Sequence, residues 1–153
     1  MSEYYNTGYE VLLITLITVL SAQILKFVLN LLLYRKVDFK LLTTTGGMPS
    51  SHSASVVSLS TAVGFISGFD STVFAVATGY AFVVMYDAAG LRRASGKMAV
   101  CLNKIMDDFY KHNVQEVGGK LKELLGHTPI EVFAGALFGF FMTYYFHFMV
   151  FGV

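Results

Sequence analysis

Apolar residues in this chain are gathered into four long runs, and polar residues fill the connections between them. The runs cover roughly residues 9–34, 51–68, 71–89 and 129–151. Each run approaches or exceeds the ~20 apolar residues that a helix needs to cross a bilayer, and the second run is the shortest. Because only residues 69–70 separate the second run from the third, we expect these two helices to form an antiparallel hairpin.

The long connection before the last run carries a different pattern. Within residues 94–125, the apolar residues Met98, Leu102, Ile105 and Phe109 recur at steps of four, three and four. That spacing places them on one stripe of a helix, with charged residues off the stripe. The pattern predicts an amphipathic helical segment that lies on the bundle or at the membrane interface.

Composition agrees with a membrane protein and excludes other classes. Hydrophobic residues make up 55% of the chain and charged residues 14%, whereas a soluble domain carries about 25% charged residues. The net charge of +1 gives no support to nucleic-acid binding, and the single cysteine, Cys101, excludes an internal disulfide framework. We therefore expect one all-α membrane domain over residues 1–153, with about four transmembrane helices and the amphipathic segment.

The positive charges predict how the helices are oriented. Apart from Lys26, every lysine and arginine lies in one of two connections. Those residues are Arg35, Lys36 and Lys40 between the first and second runs, and Arg92, Arg93, Lys97, Lys104, Lys111, Lys120 and Lys122 between the third and fourth. The positive-inside rule places both connections in the cytoplasm. Both termini of this multi-pass cell-membrane protein would then lie outside.

Polar and ionisable residues collect at the cytoplasmic ends of all four runs. They are Lys26 near the end of the first run, Ser50, Ser51 and His52 at the start of the second, Asp87, Arg92 and Arg93 at the end of the third, and His127 and Glu131 at the start of the fourth. Ionisable residues at the edge of a membrane span are costly and tend to be functional. This convergence predicts a site that faces the cytoplasm.

Several of these residues also have a simpler interpretation. Lys26 could have no function beyond extending its ammonium toward the membrane interface. Asp87 could be the structural partner of an arginine or a metal ligand, and Arg92 and Arg93 could act only as topology signals. We assign no role to His112 or His147.

Residues 46–52 have the composition of an anion site. Glycines, a proline and hydroxyl residues directly before an apolar helix expose backbone N–H groups at the positive end of the helix dipole. His52 beside those groups can donate or accept a proton, which is the minimum needed for phosphate chemistry. The alternative is that His52 only helps to start the helix.

The start of the last run can be interpreted in two ways. Thr128, Pro129 and Glu131 match a capping box with proline at the first helical position, which explains Glu131 without any chemistry. Alternatively, the Glu131 carboxylate holds the imidazole of His127, four residues earlier, in one tautomer. Further along the run, Gly135 and Gly139 have the spacing of a close helix contact, either within the bundle or in a homodimer.

Three motifs together resemble the divergent branch of the type 2 phosphatidic acid phosphatase superfamily, which also contains the vanadium-dependent haloperoxidases. The motifs are Met48-Pro49-Ser50-Ser51-His52, Tyr86-Asp87-Ala88-Ala89-Gly90-Leu91-Arg92-Arg93, and Gly126-His127-Thr128-Pro129-Ile130-Glu131-Val132. The resemblance covers nearly the whole chain. Ser51 stands where the superfamily motif has glycine, and Glu131 stands where it has aspartate.

The resemblance implies a role for each of the converging residues. His127 would attack phosphorus, Glu131 would orient His127, and His52 would protonate the leaving alkoxide. The phosphate-binding groups would be Ser50, Ser51, Arg92 or Arg93, and Lys26, with Lys40 competing for the place of Lys26. No cofactor or obligatory metal is implied.

The function that this resemblance implies is a lipid phosphate phosphatase. Phosphatidylglycerophosphate is the first choice of substrate, ahead of phosphatidate and polyprenyl phosphates. The rival from another class is a non-catalytic lipid- or anion-binding membrane protein, or a transporter subunit, which would not need His127. A third alternative is a metal site formed by Asp87 with Asp107 or Asp108.

Overall fold

A computed structural model describes residues 7–35, 47–110 and 126–152, without the side chains of residues 34, 91–93 and 108–110. Both termini, Lys40, His112 and the second half of the predicted amphipathic segment therefore lie outside the described residues. The side chains of Arg92, Arg93 and Asp108 also lie outside them.

The described chain is helical, as the sequence predicts. The helices are α1 (Gly8–Tyr34), α2 (Ser51–Ser67), α3 (Thr72–Ala89), α4 (Leu91–Tyr110) and α5 (Pro129–Tyr145), and α5 continues as one π-helical turn over Phe146–Val150. Helices α1, α2, α3 and α5 match the four apolar runs closely. The expected all-α membrane bundle is thereby confirmed.

Side-chain caps set where three of these helices begin. The hydroxyl oxygen of Ser50 accepts from the Ser53 N–H at the start of α2, and that of Ser71 accepts from the Phe74 N–H at the start of α3. Thr128 caps α5 in the predicted capping box. Between α2 and α3, Gly68 adopts φ 90°, a conformation that favours glycine, and this allows the tight hairpin turn.

Helix α2 lies at the centre of the bundle, in contact with α1, α3 and α5. Its buried residues are small and often polar: Ser51, Ser53, Ala54, Val56, Ser58, Ser60, Thr61, Ala62 and Gly64. The hydroxyl groups bond to neighbouring helices, with Ser58 donating to Thr18 at 3.2 Å and Ser60 sharing a 2.9 Å bond with Thr78. Small residues and interhelical hydrogen bonds are typical of packing inside a membrane bundle.

The outer surfaces of the other helices are apolar. Leu12, Leu16, Leu20 and Ile24 of α1 are exposed, as are many large residues of α3 and α5. Three stretches are long and apolar enough to cross a membrane: Gly8–Leu33, Thr72–Asp107 and Pro129–Val150. Helix α2 would reach only about 26 Å at the usual helical rise, against a hydrocarbon core of ~30 Å. Its neighbours shield this shorter helix from lipid.

Two details of the third connection differ from the sequence-based expectation. Arg92 and Arg93 lie in the first turn of α4 instead of closing α3, because α3 ends at Ala89 with Gly90 as its C-cap. The apolar stripe of α4 is exposed at Met98, Leu102 and Ile105, so in the described residues it does not lie on the bundle. The remaining alternative for this stripe is the membrane interface.

Gly135 and Gly139 bring α5 into close contact with α2. A Cβ at Gly135 would overlap the carbonyl oxygen of Ser50, and one at Gly139 would overlap that of Ala54. Both glycines are thus used for packing within the bundle. A homodimer through the same two residues would have to displace α2, and the oligomeric state stays a prediction.

A buried acid–histidine pair closes the end of the bundle where α1 begins and α5 ends. Glu10 Oε1 lies 2.7 Å from His147 Nδ1, and both side chains are almost fully buried. The His147 ring stacks on Phe65 with a centroid distance of 4.9 Å. The sequence analysis gave His147 no role, so this contact is a new feature.

Candidate active site

The converging residues meet at the opposite end of the bundle, where α2 and α5 begin and α3 ends. Two backbone hydrogen bonds hold this end together. The Ser50 N–H donates to the Glu131 carbonyl at 3.0 Å, and the His127 N–H donates to the Ala88 carbonyl at 3.2 Å. These bonds join the starts of α2 and α5 and attach the segment before α5 to α3. The positions of His52 and His127 therefore depend on the backbone of three helices.

Glu131 carries out both of the roles proposed for it from the sequence. Its Oε2 atom accepts from the Thr128 N–H at 3.0 Å and lies 3.1 Å from Nδ1 of His127. The Glu131 N–H in turn donates to the Thr128 hydroxyl oxygen at 3.3 Å. Capping the helix and holding the imidazole are thus compatible, because one carboxylate oxygen can accept two bonds.

This contact determines which nitrogen of His127 is available for chemistry. An ionised Glu131 can only accept, so Nδ1 carries the proton and Nε2 carries the lone pair when the ring is neutral. His127 is only 1% exposed. A buried imidazole with a fixed tautomer is suited to act as a nucleophile toward a group that enters the site.

His52, in the first turn of α2, faces His127. Their ring centroids are 6.1 Å apart, and the ring planes are inclined by 65°. Both imidazole rings therefore border the same site, where α2 and α5 begin.

The serines before His52 were predicted to bind phosphate, but Ser50 is already engaged in hydrogen bonds within the protein. Ser50 is buried; its N–H goes to Glu131, and its hydroxyl oxygen accepts from both the N–H and the hydroxyl of Ser53. Ser51 is also buried, at the first position of α2, where backbone N–H groups have no acceptor within the helix. Phosphate binding by either serine stays a prediction, and the first-turn amides fit it best.

Lys26 is buried in the bundle and faces the start of α5. It is 3% exposed, and its Nζ atom has no hydrogen-bond partner among the described residues. Lys26 and Glu131 line the same cavity of about 450 Å³, and the Glu131 carboxylate attracts the ammonium electrostatically. Lys26 therefore does not extend to the interface, and its position is suited to meet an anion.

Fewer contacts can be described for the motif at residues 86–93. Asp87 is half-buried in the last turn of α3, next to the Ala88 carbonyl that receives the His127 N–H. Within the described ranges, no group of three or more histidine, cysteine, aspartate and glutamate side chains comes together as metal ligands. The proposed metal alternative, in which Asp87 acts with Asp107, gains no support from this part of the chain.

One residue of the site was missed in the sequence analysis. Asn30 lines the cavity together with Lys26 and Glu131. The available signal was its spacing, since residues four apart lie on the same face of a helix. A lone amide near the end of an apolar run attracts no attention unless the lysine one turn earlier is already known to be buried.

Comparisons with known proteins agree with the motifs. A sequence model described as the "Divergent PAP2 family" matches residues 7–142. The chain is also 44% identical over 142 residues to the uncharacterized membrane protein YuiD of Bacillus subtilis (strain 168), a match that covers 86% of this chain and 90% of the relative. No solved structure matches significantly.

Proposed function

Because the chain belongs to the divergent PAP2 family, we propose that it is an integral-membrane phosphatase that hydrolyses a lipid phosphomonoester through a phosphohistidine. The observation that carries the proposal is the pairing of His127 with Glu131 at 3.1 Å, with the His52 ring 6.1 Å away. A nucleophile held in one tautomer and a nearby proton donor are the two groups that phosphoryl transfer to histidine needs.

The reaction proceeds in two balanced steps. The Nε2 lone pair of His127 attacks phosphorus, so an N–P bond forms while the P–O bond to the lipid alkoxide breaks, and His52 gives its proton to that oxygen. Neutral His52 then takes a proton from a water molecule, whose oxygen attacks phosphorus as the N–P bond breaks. Inorganic phosphate leaves, and both histidines return to their starting states.

Positive groups around the site would stabilise the charge on the phosphoryl oxygens. The amides in the first turn of α2 and the buried ammonium of Lys26 are the described candidates, and Arg92 and Arg93 are predicted to join them. Glu131 keeps His127 in the reactive tautomer. No step in this sequence requires a metal to generate hydroxide.

The substrate proposal follows from the membrane setting and the charge distribution. Both basic connections are predicted to be cytoplasmic, so the site would receive lipid phosphates from the inner leaflet. Phosphatidylglycerophosphate is the preferred candidate. Phosphatidate and polyprenyl phosphates are the next to test.

A non-catalytic anion-binding function is the rival, and the burial of Lys26 favours it specifically. A buried ammonium that has no hydrogen-bond partner among the described residues can bind an anionic lipid without any chemistry. That function would need Lys26 but would tolerate the loss of His127.

The deciding experiment is phosphate release by the purified full chain from a panel of lipid phosphates in mixed micelles. We expect release that persists in EDTA and is inhibited by vanadate, which mimics pentacoordinate phosphorus. Lipid binding without release would favour the rival. Loss of release in EDTA with recovery on adding magnesium would contradict the metal-free mechanism.

His52→Ala tests the proton-transfer step separately. General acid catalysis contributes typically about 10²–10⁴-fold, so an alkyl phosphate should lose activity in that range. An aryl phosphate should lose far less, because its leaving group needs little protonation. Equal losses for both substrates would mean that His52 binds phosphate or supports the structure.

A further inference from the structure

The cavity beside Lys26 is larger than a phosphoryl group requires. It measures about 450 Å³ and is lined by Lys26, Leu29, Asn30, Leu33, Gly47, Met48 and Glu131. A water molecule occupies about 30 Å³ in the liquid, so this volume corresponds to roughly fifteen waters. It lies within the range of pockets that hold small organic ligands, about 300–1,000 Å³. The cavity therefore has room for several heavy atoms besides a phosphate.

Lys26 indicates that one part of the ligand is anionic. Gly47 covers the stem of this side chain, and a Cβ there would lie 3.4 Å from Lys26 Cδ. With φ at 82°, Gly47 occupies a conformation that other residues rarely adopt. The backbone thus holds Lys26 inside the bundle, where its ammonium has no hydrogen-bond partner among the described residues. A buried charge without such a partner is costly, and an anionic ligand would satisfy it.

Asn30 indicates that another part of the ligand is a neutral hydrogen-bonding group. It lies one turn beyond Lys26 on the same helix face, and its neighbours in the cavity wall include Leu29, Leu33 and Met48. A carboxamide both donates and accepts, which is the pattern that complements a hydroxyl group. The cavity thus combines an ammonium and an amide in a mainly apolar wall.

We propose that this cavity is a headgroup subsite for a phosphorylated polyol, in which Lys26 meets an anionic oxygen and Asn30 meets a hydroxyl. The inference rests on the proposed function and gives it a substrate class: lipids with a glycerol-phosphate headgroup rather than phosphatidate. Glu131 connects the two regions, because it lines the cavity and holds His127. The reacting phosphate would lie between His127 and Lys26, and the polyol would extend past Glu131 along the cavity wall toward Asn30.

Substrate selectivity gives the first test. The ratio of kcat/KM for phosphatidylglycerophosphate to that for phosphatidate should fall by roughly 3–10-fold in Asn30→Leu, the range expected for one neutral hydrogen bond. Activity toward phosphatidate should fall less, because that lipid has no headgroup hydroxyl for Asn30 to meet. Asn103→Leu is the control, because Asn103 is a buried asparagine on α4 outside the cavity, and it should leave the ratio unchanged.

Two results would overturn the subsite. An unchanged ratio in Asn30→Leu would remove Asn30 from the headgroup contact. An equal loss for both lipids would make its role structural. If the unaltered protein releases phosphate from neither lipid, the phosphatase proposal fails first, and the subsite is judged by binding.

Binding is measured with soluble probes that need no turnover. Glycerol 3-phosphate should raise the thermal unfolding midpoint of the unaltered protein at lower concentration than inorganic phosphate does. Asn30→Leu should make the two probes equal, and Lys26→Met should weaken both. If inorganic phosphate is as effective as glycerol 3-phosphate on the unaltered protein, the cavity has no polyol subsite.

Discussion

The two ends of α5 carry the same chemical pair in different surroundings. At one end, Nδ1 of His127 lies 3.1 Å from Glu131, and at the other, Nδ1 of His147 lies 2.7 Å from Glu10. The Glu131 side chain is 22% exposed and lines a cavity, whereas the Glu10 side chain is fully buried. Residue identity alone therefore does not make a catalytic site.

The surroundings indicate different functions for the two pairs. His127 faces a second histidine and lies close to helix N-termini that attract anions. His147 instead contacts the rings of Phe65 and Phe148 at centroid distances of 4.9 and 4.8 Å. The first pair thus borders a second histidine and a cavity, as the proposed reaction requires, while the second joins the start of α1 to the end of α5.

The largest expected difference between the two ends is in turnover. His127→Ala should lower phosphate release by roughly 10³-fold or more, because the group that forms the covalent bond is gone. His147→Ala should retain most of the turnover per folded molecule. Both variants are assayed on the same lipid, and activity is normalised to the monodisperse fraction. Near-normal turnover by His127→Ala, or no phosphoenzyme in the unaltered protein, would contradict the distinction between the pairs.

The next largest effect is on stability. Here the Glu10–His147 pair should matter more than the His127–Glu131 pair. Removing one partner of a buried hydrogen bond leaves the other unsatisfied at a cost of about 1–3 kcal/mol, so Glu10→Ala should lower the free energy of unfolding by that amount or more. Glu131→Ala removes mainly one side of a capping box and should cost about 1 kcal/mol. Equilibrium unfolding in mixed detergent micelles gives both values.

A double-mutant cycle with Glu10→Gln and His147→Ala isolates the contact itself. A coupling free energy of about 0.5–3 kcal/mol is expected for groups in contact. A value near zero would mean that Glu10 and His147 stabilise the bundle independently. The conclusion that this contact joins α1 to α5 would then be wrong.

The first pair could be predicted from the sequence, and the second could not be predicted from local patterns. His127 and Glu131 are four residues apart, so a single helix start brings them together. Glu10 and His147 are separated by 137 residues, and only the packing of α1 against α5 makes them neighbours. Four helices and the Thr128 cap likewise followed from local signals, and the polar residues at the cytoplasmic ends of the runs predicted that His52 and His127 lie at one end of the bundle. The central position of α2 did not, because its small polar residues gain their meaning from neighbouring helices.

A longer-range signal was nevertheless present in the spacing of the charges. Glu10 and Lys26 are sixteen residues apart on α1, as are Glu131 and His147 on α5. At the usual helical rise, each interval covers about 24 Å. If Lys26 lies near Glu131 in an antiparallel pair of helices, Glu10 and His147 then lie at the same depth in the bundle. The spacing does not make them face each other, because sixteen residues turn a helix by about 160° beyond four full turns. The same rule could not place Asn30 in a cavity, because the wall of that cavity includes Gly47 and Met48 from another part of the chain.

The close contact between α5 and α2 depends on the glycines of α5. Gly139→Ala should lower the free energy of unfolding by about 1–3 kcal/mol, because overfilling a packed interface forces the helices apart. Gly79→Ala is the matched control, since a Cβ there meets nothing within 4 Å. The control should be neutral or stabilising by up to about 1 kcal/mol. Equal effects of the two substitutions would show that α5 does not depend on close approach to α2.

The smallest expected effect comes from the hydroxyl groups midway between the two pairs. The Thr143 hydroxyl can donate to the Ser58 hydroxyl oxygen on α2, at 2.8 Å, or to the Gly139 carbonyl on its own helix, at 2.9 Å. Interhelical hydrogen bonds in membrane proteins contribute about 0.6 kcal/mol on average, so Thr143→Val should lower stability by that amount and leave turnover unchanged.

Thr15→Val is the control, because Thr15 Oγ1 is buried without a hydrogen-bond partner among the described residues. Since removing an unsatisfied hydroxyl costs nothing and can stabilise, only the Thr143 variant should be less stable. If Thr143→Val instead reduced turnover as much as His127→Ala, the middle of α5 would have to be counted as part of the proposed site, and the contrast between the two ends of α5 would no longer be sufficient to explain function.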